Sequence, residues 1–403
     1  MNLQKITICG GGNGAQTLVP IAAHNLNCDV DLYAPFGDEA QRLAAGIANH
    51  GGLETTGAVQ AMARPRHVSP DPAQVIPGSQ MVVLVLPAFA HEATLRQIAL
   101  FLDQDAWVGA IPARGGFDYC AAWALARQGR PDVRLFGLQT LPWACRIETY
   151  GQAVHVLGVK EAVDAASRPA AQIGAIRPLL ERMLGLPIDA AASLLALTLA
   201  NTGQIIHPGI MYGLFVDWDG TAFGRDEVPL FYQGLSERGA EALAALSDDV
   251  QAIRARLGGT LDLAAVRPLD AWLQHCYSQA ITDASCLRSA FVTNRAYAGL
   301  KAPVREVAPG RFVPDFDARY LAEDVPFGLA VSRAIASLTG VGTPAMDRVI
   351  AWAGERLDKD YLGRDANLAR IPQKYGLDSL DRLLAFTHEM LEMADPGFLE
   401  GPV

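Results

Sequence analysis

The chain has 403 residues, half of them hydrophobic, and a formal net charge of -10 at pH 7. That length suggests about two domains with ample apolar content for large cores, and the acidic balance argues against a nucleic-acid or anionic-membrane surface. The six cysteines (Cys9, Cys28, Cys120, Cys145, Cys276 and Cys286) are scattered without a C-x-x-C pair. Neither a zinc site nor a disulfide framework is therefore indicated; no metal is expected, and reduced thiols in a cytoplasmic protein are the expectation. The N-terminus reads as a strand rather than a secretion signal. The apolar run over residues 81–86 is far too short to span a bilayer, so no membrane partner is expected.

The first strand, Ile6-Thr7-Ile8-Cys9, feeds into Gly10-Gly11-Gly12-Asn13-Gly14-Ala15 and then a helix-like stretch over residues 17–24. This matches the G-x-G-x-x-G/A dinucleotide fingerprint, with Gly10, Gly12 and Ala15 in the marked places. Gly10 permits the tight turn, Gly12 lets a pyrophosphate approach the backbone, and Ala15 lets the helix pack close on the sheet. The helix N-terminus then holds the phosphate charge. Strand two follows over residues 28–33. The acid that commonly takes the ribose hydroxyls is missing from its end, where Ala34 and Pro35 stand. Asp38 and Glu39 come a few residues late and Arg42 one turn further, so NAD(H) and NADP(H) both remain open on this pattern. Asp38 serves equally as an N-cap.

Residues 51–66 read as irregular or hairpin-like, and residues 66–68 as a short strand. The fully apolar run at 81–86 reads as a central parallel strand. Further strands are expected at 107–111, 135–140 and 153–158. The loops expected after these strands are Pro87-Ala88-Phe89-Ala90-His91-Glu92, Pro112-Ala113-Arg114-Gly115-Gly116-Phe117 and Leu141-Pro142-Trp143-Ala144-Cys145-Arg146. Strands alternating with helices imply a Rossmann-type α/β domain, a doubly wound and mostly parallel sheet that binds ligands at the carboxyl ends of its strands. Arg114 reads equally as a bidentate carboxylate grip and as an ordinary surface arginine.

The pattern changes near residue 192, which divides the chain into domains 1–191 and 192–403. The second should be nearly all α, with helices at 190–206, 235–257, 268–275, 327–338, 343–357 and 379–393. His207 lies in the polar interruption Asn201-Thr202-Gly203-Gln204-Ile205-Ile206-His207-Pro208. A histidine there is more often a satisfied core residue than an acid–base group, although imidazole suits proton transfer near neutral pH. Its best candidate partner lies in the acidic segment 315–324, which equally well reads as a solvated loop capping the next helix.

Taken in order, these motifs resemble the octopine dehydrogenase group of opine dehydrogenases. The resemblance rests on the fingerprint, on Pro87 to Glu92, and on Thr140-Leu141-Pro142-Trp143-Ala144-Cys145-Arg146-Ile147. It continues through His207-Pro208, Pro229-Leu230-Phe231-Tyr232-Gln233-Gly234, Pro314-Asp315-Phe316 and Arg319-Tyr320-Leu321-Ala322-Glu323-Asp324. It implies a Rossmann domain followed by an all-helical opine dehydrogenase domain, with reductive condensation of an L-amino acid and a 2-oxo acid, usually pyruvate. It implies NAD(H), with NADP(H) as the alternative, bound by Gly10, Gly12, Asn13, Gly14, Ala15, Pro87 and Arg319. The family's His–Asp dyad falls on His207 and Asp324, and its oxo-acid site on Arg114, Thr140 and Cys145. Arg114 stands where octopine dehydrogenase has a glutamine. Trp218, Tyr232 and Trp272 are aromatic candidates for packing against the amino acid or, equally, for the core. The partners expected are small molecules, and the chain is expected to be a monomer or homodimer. The rival readings are a 2-oxo or hydroxy acid dehydrogenase that needs no amine, and a cofactor-binding sensor without turnover.

Overall fold

The computed structural model describes residues 3–391 and 393. The chain forms two compact units: the first runs to Leu197 and takes back the chain from Leu384, and the second is Thr198–Leu383.

The first unit begins with β1 (Lys5–Cys9), α1 (Asn13–Leu26), β2 (Asp29–Tyr33) and α2 (Glu39–His50). There follow β3 (Leu53–Gly57), β4 (Ala61–Ala63), β5 (Val68–Ser69), α3 (Pro72–Val75), β6 (Met81–Leu84), α4 (Ala88–Ile98), β7 (Trp107–Ala110) and α5 (Phe117–Ala126). It continues with β8 (Arg134–Leu138), β9 (Trp143–Thr149), β10 (Ala153–Val159), β11 (Val163–Arg168), α6 (Ile173–Leu184) and β12 (Ile188–Ala190). Eight strands form one sheet in the order β12-β11-β8-β7-β6-β1-β2-β5. All neighbours are parallel except β8 and β11. Every residue of β1, β6 and β7 is buried. Both faces of these central strands are covered, which is why β6 and β7 read as near-continuous apolar runs and why the polar residues of β1 are paired, Lys5 with Asp31 and Thr7 with the Val75 carbonyl. Each fully buried Ile, Val or Leu among them contributes about 1.5–3 kcal/mol.

Two sequence expectations change here. Residues 143–146 belong to strand β9 and not to a loop, and β9 pairs antiparallel with β10. Those two strands, with β3 and β4, make a separate four-stranded sheet; the hairpin expected near residues 51–66 is therefore a structural partner of residues far along the chain. Strand β11 carries no strong alternation and was not anticipated.

The second unit is mainly helical. After α7 (Leu194–Ala200) the chain breaks at Asn201 and Thr202 and resumes as α8 (Gly203–Phe215), so the single helix expected over 190–206 is a strand, a short helix and a restart. Next come β13 (Phe223–Gly224), α9 (Glu237–Leu257), α10 (Leu269–Tyr277), α11 (Leu287–Val292), β14 (Val304–Ala308), β15 (Arg311–Pro314) and α12 (Arg319–Ala322). A π-turn at Val325–Leu329 leads to α13 (Ala330–Thr339), α14 (Pro344–Leu357) and α15 (Leu380–Thr387). A small sheet, β13-β15-β14, sits among the helices. Ser236 caps α9 by accepting from the Gly239 N–H, which starts that helix where the sequence pattern begins.

The return of the chain to the first unit has a visible cause. Arg168 Nη1 donates to the Phe386 carbonyl at 2.7 Å, and its guanidinium stacks on the Phe386 ring. The Ala170 N–H also donates to Glu389 Oε1 at 2.6 Å. Of the helix expected over 379–393, residue 392 lies outside the described residues, as do residues 394–403 of the expected second domain. Among the described residues, no helix is long and apolar enough to cross a membrane.

Candidate active site

In the first unit, the fingerprint occupies the turn from β1 into α1. Gly10 takes a φ of +127°, and a Cβ there would come within 2.5 Å of the Val85 carbonyl. A Cβ on Gly12, by contrast, would meet nothing within 4 Å. Gly12 is the N-cap of α1, with no side-chain cap and no acid in the first turn. The helix start therefore presents open space and unneutralised N–H groups, which fits a pyrophosphate. Two side chains clamp this turn. Gln16, fully buried, donates from Nε2 to the Gly11 carbonyl at 2.7 Å and accepts the Gly151 N–H at 2.9 Å. Asn13 Oδ1 accepts the Ile147 N–H at 2.7 Å. The separate sheet thus braces the fingerprint loop from β9 and from the turn before β10, a role that only its long-range pairing reveals. Ala15 is fully buried.

Pro87 stands at the start of α4, just beyond β6, the strand beside β1. That pair is where the strand order reverses, the usual place for a ligand on such a sheet. His91, in the same segment, is buried, with Nε2 3.1 Å from the Leu86 carbonyl and an edge contact to Phe117. Arg114 follows β7 and is only 7 % exposed, so it is not an ordinary surface arginine. Thr140 lies half-buried just past β8. Cys145 is buried in β9; burial raises its thiol pKa, against a hydrogen bond from Thr17 of α1.

In the second unit, His207 and Asp324 meet although 117 residues separate them. His207 projects from α8, one residue before the in-helix Pro208. Asp324 sits between α12 and the π-turn, where the Leu329 N–H reaches back five residues to the Asp324 carbonyl at 2.9 Å. Its Oδ2 lies 2.8 Å from His207 Nδ1, and the carboxylate is fully enclosed. A carboxylate can only accept, so Nδ1 carries the proton and Nε2 presents the lone pair in the neutral ring. Tyr232 Oη lies 3.0 Å from that Nε2. The imidazole also stacks on Tyr320, with centroids 4.3 Å apart and planes 18° apart.

Gly328 makes this approach possible. A Cβ there would overlap Gln204 Cβ and stand 3.3 Å from Gln204 Cα. The π-turn carrying Asp324 thus lies directly on the first turn of the helix carrying His207. Gln204 in turn donates to the Thr198 carbonyl and to Ser332 Oγ at 3.0 and 3.1 Å, tying α8 to α13. Arg319 is more than half exposed and donates from Nε to the buried Glu323 carboxylate at 2.6 Å. Its carbonyl accepts the Asp324 N–H, which places Arg319, Glu323 and Asp324 on one turn.

Most of the expected residues fall into two constellations, while Arg114, Thr140 and Cys145 lie outside both groups in the first unit, after β7, after β8 and in β9. The glycines, Asn13, Ala15 and Pro87 gather at the carboxyl ends of β1 and β6. His207, Asp324 and Arg319 gather around α8 and α12. Of the three aromatic candidates, Tyr232 alone touches the dyad. Trp272 is buried in an edge contact with Tyr277, and Trp218 donates to the Thr221 carbonyl beside Phe316.

The arrangement is an open helix N-terminus at a glycine-rich turn that fits a dinucleotide and, in the other unit, an imidazole held in one tautomer by a buried acid. The NAD/NADP octopine/nopaline dehydrogenase helical-domain model matches residues 190–357. Octopine dehydrogenase of Mizuhopecten yessoensis is 35% identical, the match covering 94% of this chain and 98% of that one. The chain belongs to the opine dehydrogenase family. It is an NAD-dependent oxidoreductase of the class acting on CH–NH bonds. Tauropine dehydrogenase of Arabella iricolor, another such relative, is 34% identical over 94% of this chain and 99% of its own length. The solved octopine dehydrogenase with NADH and L-arginine has a TM-score of 0.81 at 31% identity, covering 96% of this chain and 98% of that one. For an opine dehydrogenase the dyad residues were within reach of motif comparison. Tyr232 on Nε2, the Gln16 clamp and the Gly328 contact were not, because no local pattern marks them.

Proposed function

We propose that this opine dehydrogenase joins an L-amino acid to a 2-oxo acid, with pyruvate as the oxo acid, to give an N-(carboxyalkyl)amino acid, and runs the reverse oxidation. The observation that carries the proposal is the 2.8 Å pairing of His207 Nδ1 with the enclosed Asp324 carboxylate. That pair leaves Nε2 as a directed proton acceptor at a partly exposed ring edge. The relatives support the substrate classes: solved octopine dehydrogenases are bound to NADH with L-arginine and with pyruvate.

The chemistry separates into proton traffic and hydride transfer. Condensation of amine and ketone forms an imine and releases water; reduction then adds a hydride to the imine carbon and a proton to nitrogen. The reduced nicotinamide supplies that hydride when bound. His207 Nε2 takes a proton from the substrate ammonium, and the imidazolium formed is balanced by Asp324. It returns that proton as the carbonyl oxygen leaves as water. Tyr232, whose hydroxyl lies 3.0 Å from Nε2, yields to the amine or passes its proton onward. Arg114 and Thr140 hold the oxo-acid carboxylate, Arg114 by a bidentate grip from a buried position. Cys145, hydrogen-bonded by Thr17, completes the same oxo-acid site. Gly10, Gly12, Asn13, Gly14, Ala15 and Pro87 hold the dinucleotide, and Arg319, steadied by Glu323, offers its guanidinium to the pyrophosphate.

The test is a matrix assay. NADH oxidation is followed with pyruvate and other 2-oxo acids, crossed with the common amino acids and an amine-free control. Oxidation that depends on one amino-acid class supports the proposal and names the donor. Pyruvate reduced equally fast without amine would replace it with a simple oxo-acid reductase.

A further inference from the structure

The turn that carries Thr140 is held by a lysine from another strand. Lys160 follows β10 directly, beside the start of β9, where Val159 pairs with Trp143. Its N–H donates to the Pro142 carbonyl at 3.0 Å, and its Nζ donates to the Leu141 carbonyl at 2.7 Å. Lys160 thus grips successive carbonyls of the 140–142 turn. That turn lies on the fingerprint: a Cβ on Gly14 would come 3.1 Å from Leu141 Cδ1 and 2.8 Å from Val85 Cγ1. Lys160 is only 8 % exposed. An ammonium at that depth acts through the lower dielectric of the interior and is screened less by salt than a surface lysine. Its charge reaches Cys145, where burial raises the thiol pKa against the Thr17 hydrogen bond and the Arg146 and Lys160 charges.

A neutral donor would grip the same carbonyls at a lower desolvation cost, so the choice of an ammonium points to its charge. The anion that this part of the first unit meets is the carboxylate of the 2-oxo acid. We infer that Lys160 is a positioning residue for the 2-oxo acid: it fixes the 140–142 turn and supplies positive potential that draws the substrate carboxylate to Thr140 and Cys145. Arg114 grips that carboxylate directly, whereas Lys160 acts through the turn and through its field. The inference rests on the reading of Arg114, Thr140 and Cys145 as the oxo-acid site.

The test is steady-state kinetics on the full-length protein for wild type, Lys160→Gln and Lys160→Arg. Pyruvate and the amino donor named by the matrix assay are varied in turn, and NADH affinity is read by nucleotide fluorescence. Lys160→Gln keeps a donor for the Leu141 carbonyl but removes the charge. It should raise the KM for pyruvate about 10-fold, the effect of a unit charge over roughly 10 Å at an effective dielectric of about 20. The amino-acid KM, NADH affinity and kcat should stay within about threefold of wild type, as expected when only ground-state binding of one substrate is lost. Lys160→Arg keeps both charge and donor and should restore the pyruvate KM. A pyruvate KM within threefold of wild type in Lys160→Gln would overturn the inference. So would a parallel loss in all parameters, or equal impairment of the two variants. If Lys160→Gln fails to fold by circular dichroism, Lys160→Met, an apolar side chain of similar length, is read in the same way. Thr140→Val is measured alongside. An unchanged pyruvate KM in Thr140→Val would strike the oxo-acid site reading and the inference with it, whereas a raised KM there with an unchanged one in Lys160→Gln would strike the inference alone.

Discussion

Replacing Asp324 by Asn tests whether the buried acid drives the chemistry or merely fills space. Asn has the same shape, and its oxygen can still accept the His207 Nδ1 proton, so the 2.8 Å geometry survives while the charge is lost. Two unit charges at that separation attract by roughly 6 kcal/mol at an effective dielectric of about 20. Only the part present when the imidazole is charged and absent when it is neutral affects the barrier. Taking half or more of it gives ~3–5 kcal/mol, or about 10²–10⁴-fold in turnover. Stability should move little, because removing an enclosed charge also removes its desolvation cost. The assay is kcat at saturating amino acid, oxo acid and NADH, with NADH affinity and the melting temperature as controls. A kcat within threefold of wild type would refute the argument. A parallel loss of kcat and NADH affinity would also refute it, since the effect would then be structural.

Three further outcomes follow from the same geometry. Gly328→Ala should push the π-turn off Gln204, costing about 1–3 kcal/mol of stability and lowering kcat as the dyad separates; a melting scan that matches wild type would show that the contact has slack. Tyr232→Phe keeps the ring stacked on Tyr297 at 4.1 Å but removes the hydroxyl from Nε2. Turnover should fall by about tenfold, the value of one neutral hydrogen bond, with NADH affinity unchanged; unaltered turnover would leave Tyr232 a packing residue. Asp249 accepts the Ala345 and Met346 N–H groups at 2.9 and 2.8 Å at the start of α14, yet burial raises its carboxyl above the usual range despite those bonds. The folded state therefore holds that proton more tightly than the unfolded chain, so its contribution to stability is present below pH ~4 and is lost as pH rises through the folded value. The melting temperature of Asp249→Asn minus that of wild type should rise from pH 4 to pH 7, and parallel profiles would contradict this sign.

The sequence by itself determined what depends on neighbours along the chain. The short strand β1, the apolar runs of β6 and β7, the fingerprint turn and the long amphipathic helices α9 and α14 each carry their signal within a few residues, because burial on a regular element imposes a period on the side chains. Motif order along the chain was enough to nominate His207 and Asp324. Tertiary structure alone decided which of several residues of suitable chemistry would meet. Residue type left His207 more often a core histidine than a base; the Asp324 contact, 117 residues away, and Tyr232 on the opposite nitrogen changed that balance. Arg114 was equally a surface arginine until its burial was seen. The departure of β9 and β10 into a second sheet, the antiparallel entry of β11 and the break at Asn201–Thr202 leave no periodic mark, because strand pairing and helix restart are settled by distant partners. Glu39 comes several residues after β2, and only the fold of α2 brings its carboxyl against Gly11 of the fingerprint loop. Local pattern specifies which elements form; the packing of elements far apart in sequence specifies which side chains share a site, and here that packing decides the chemistry.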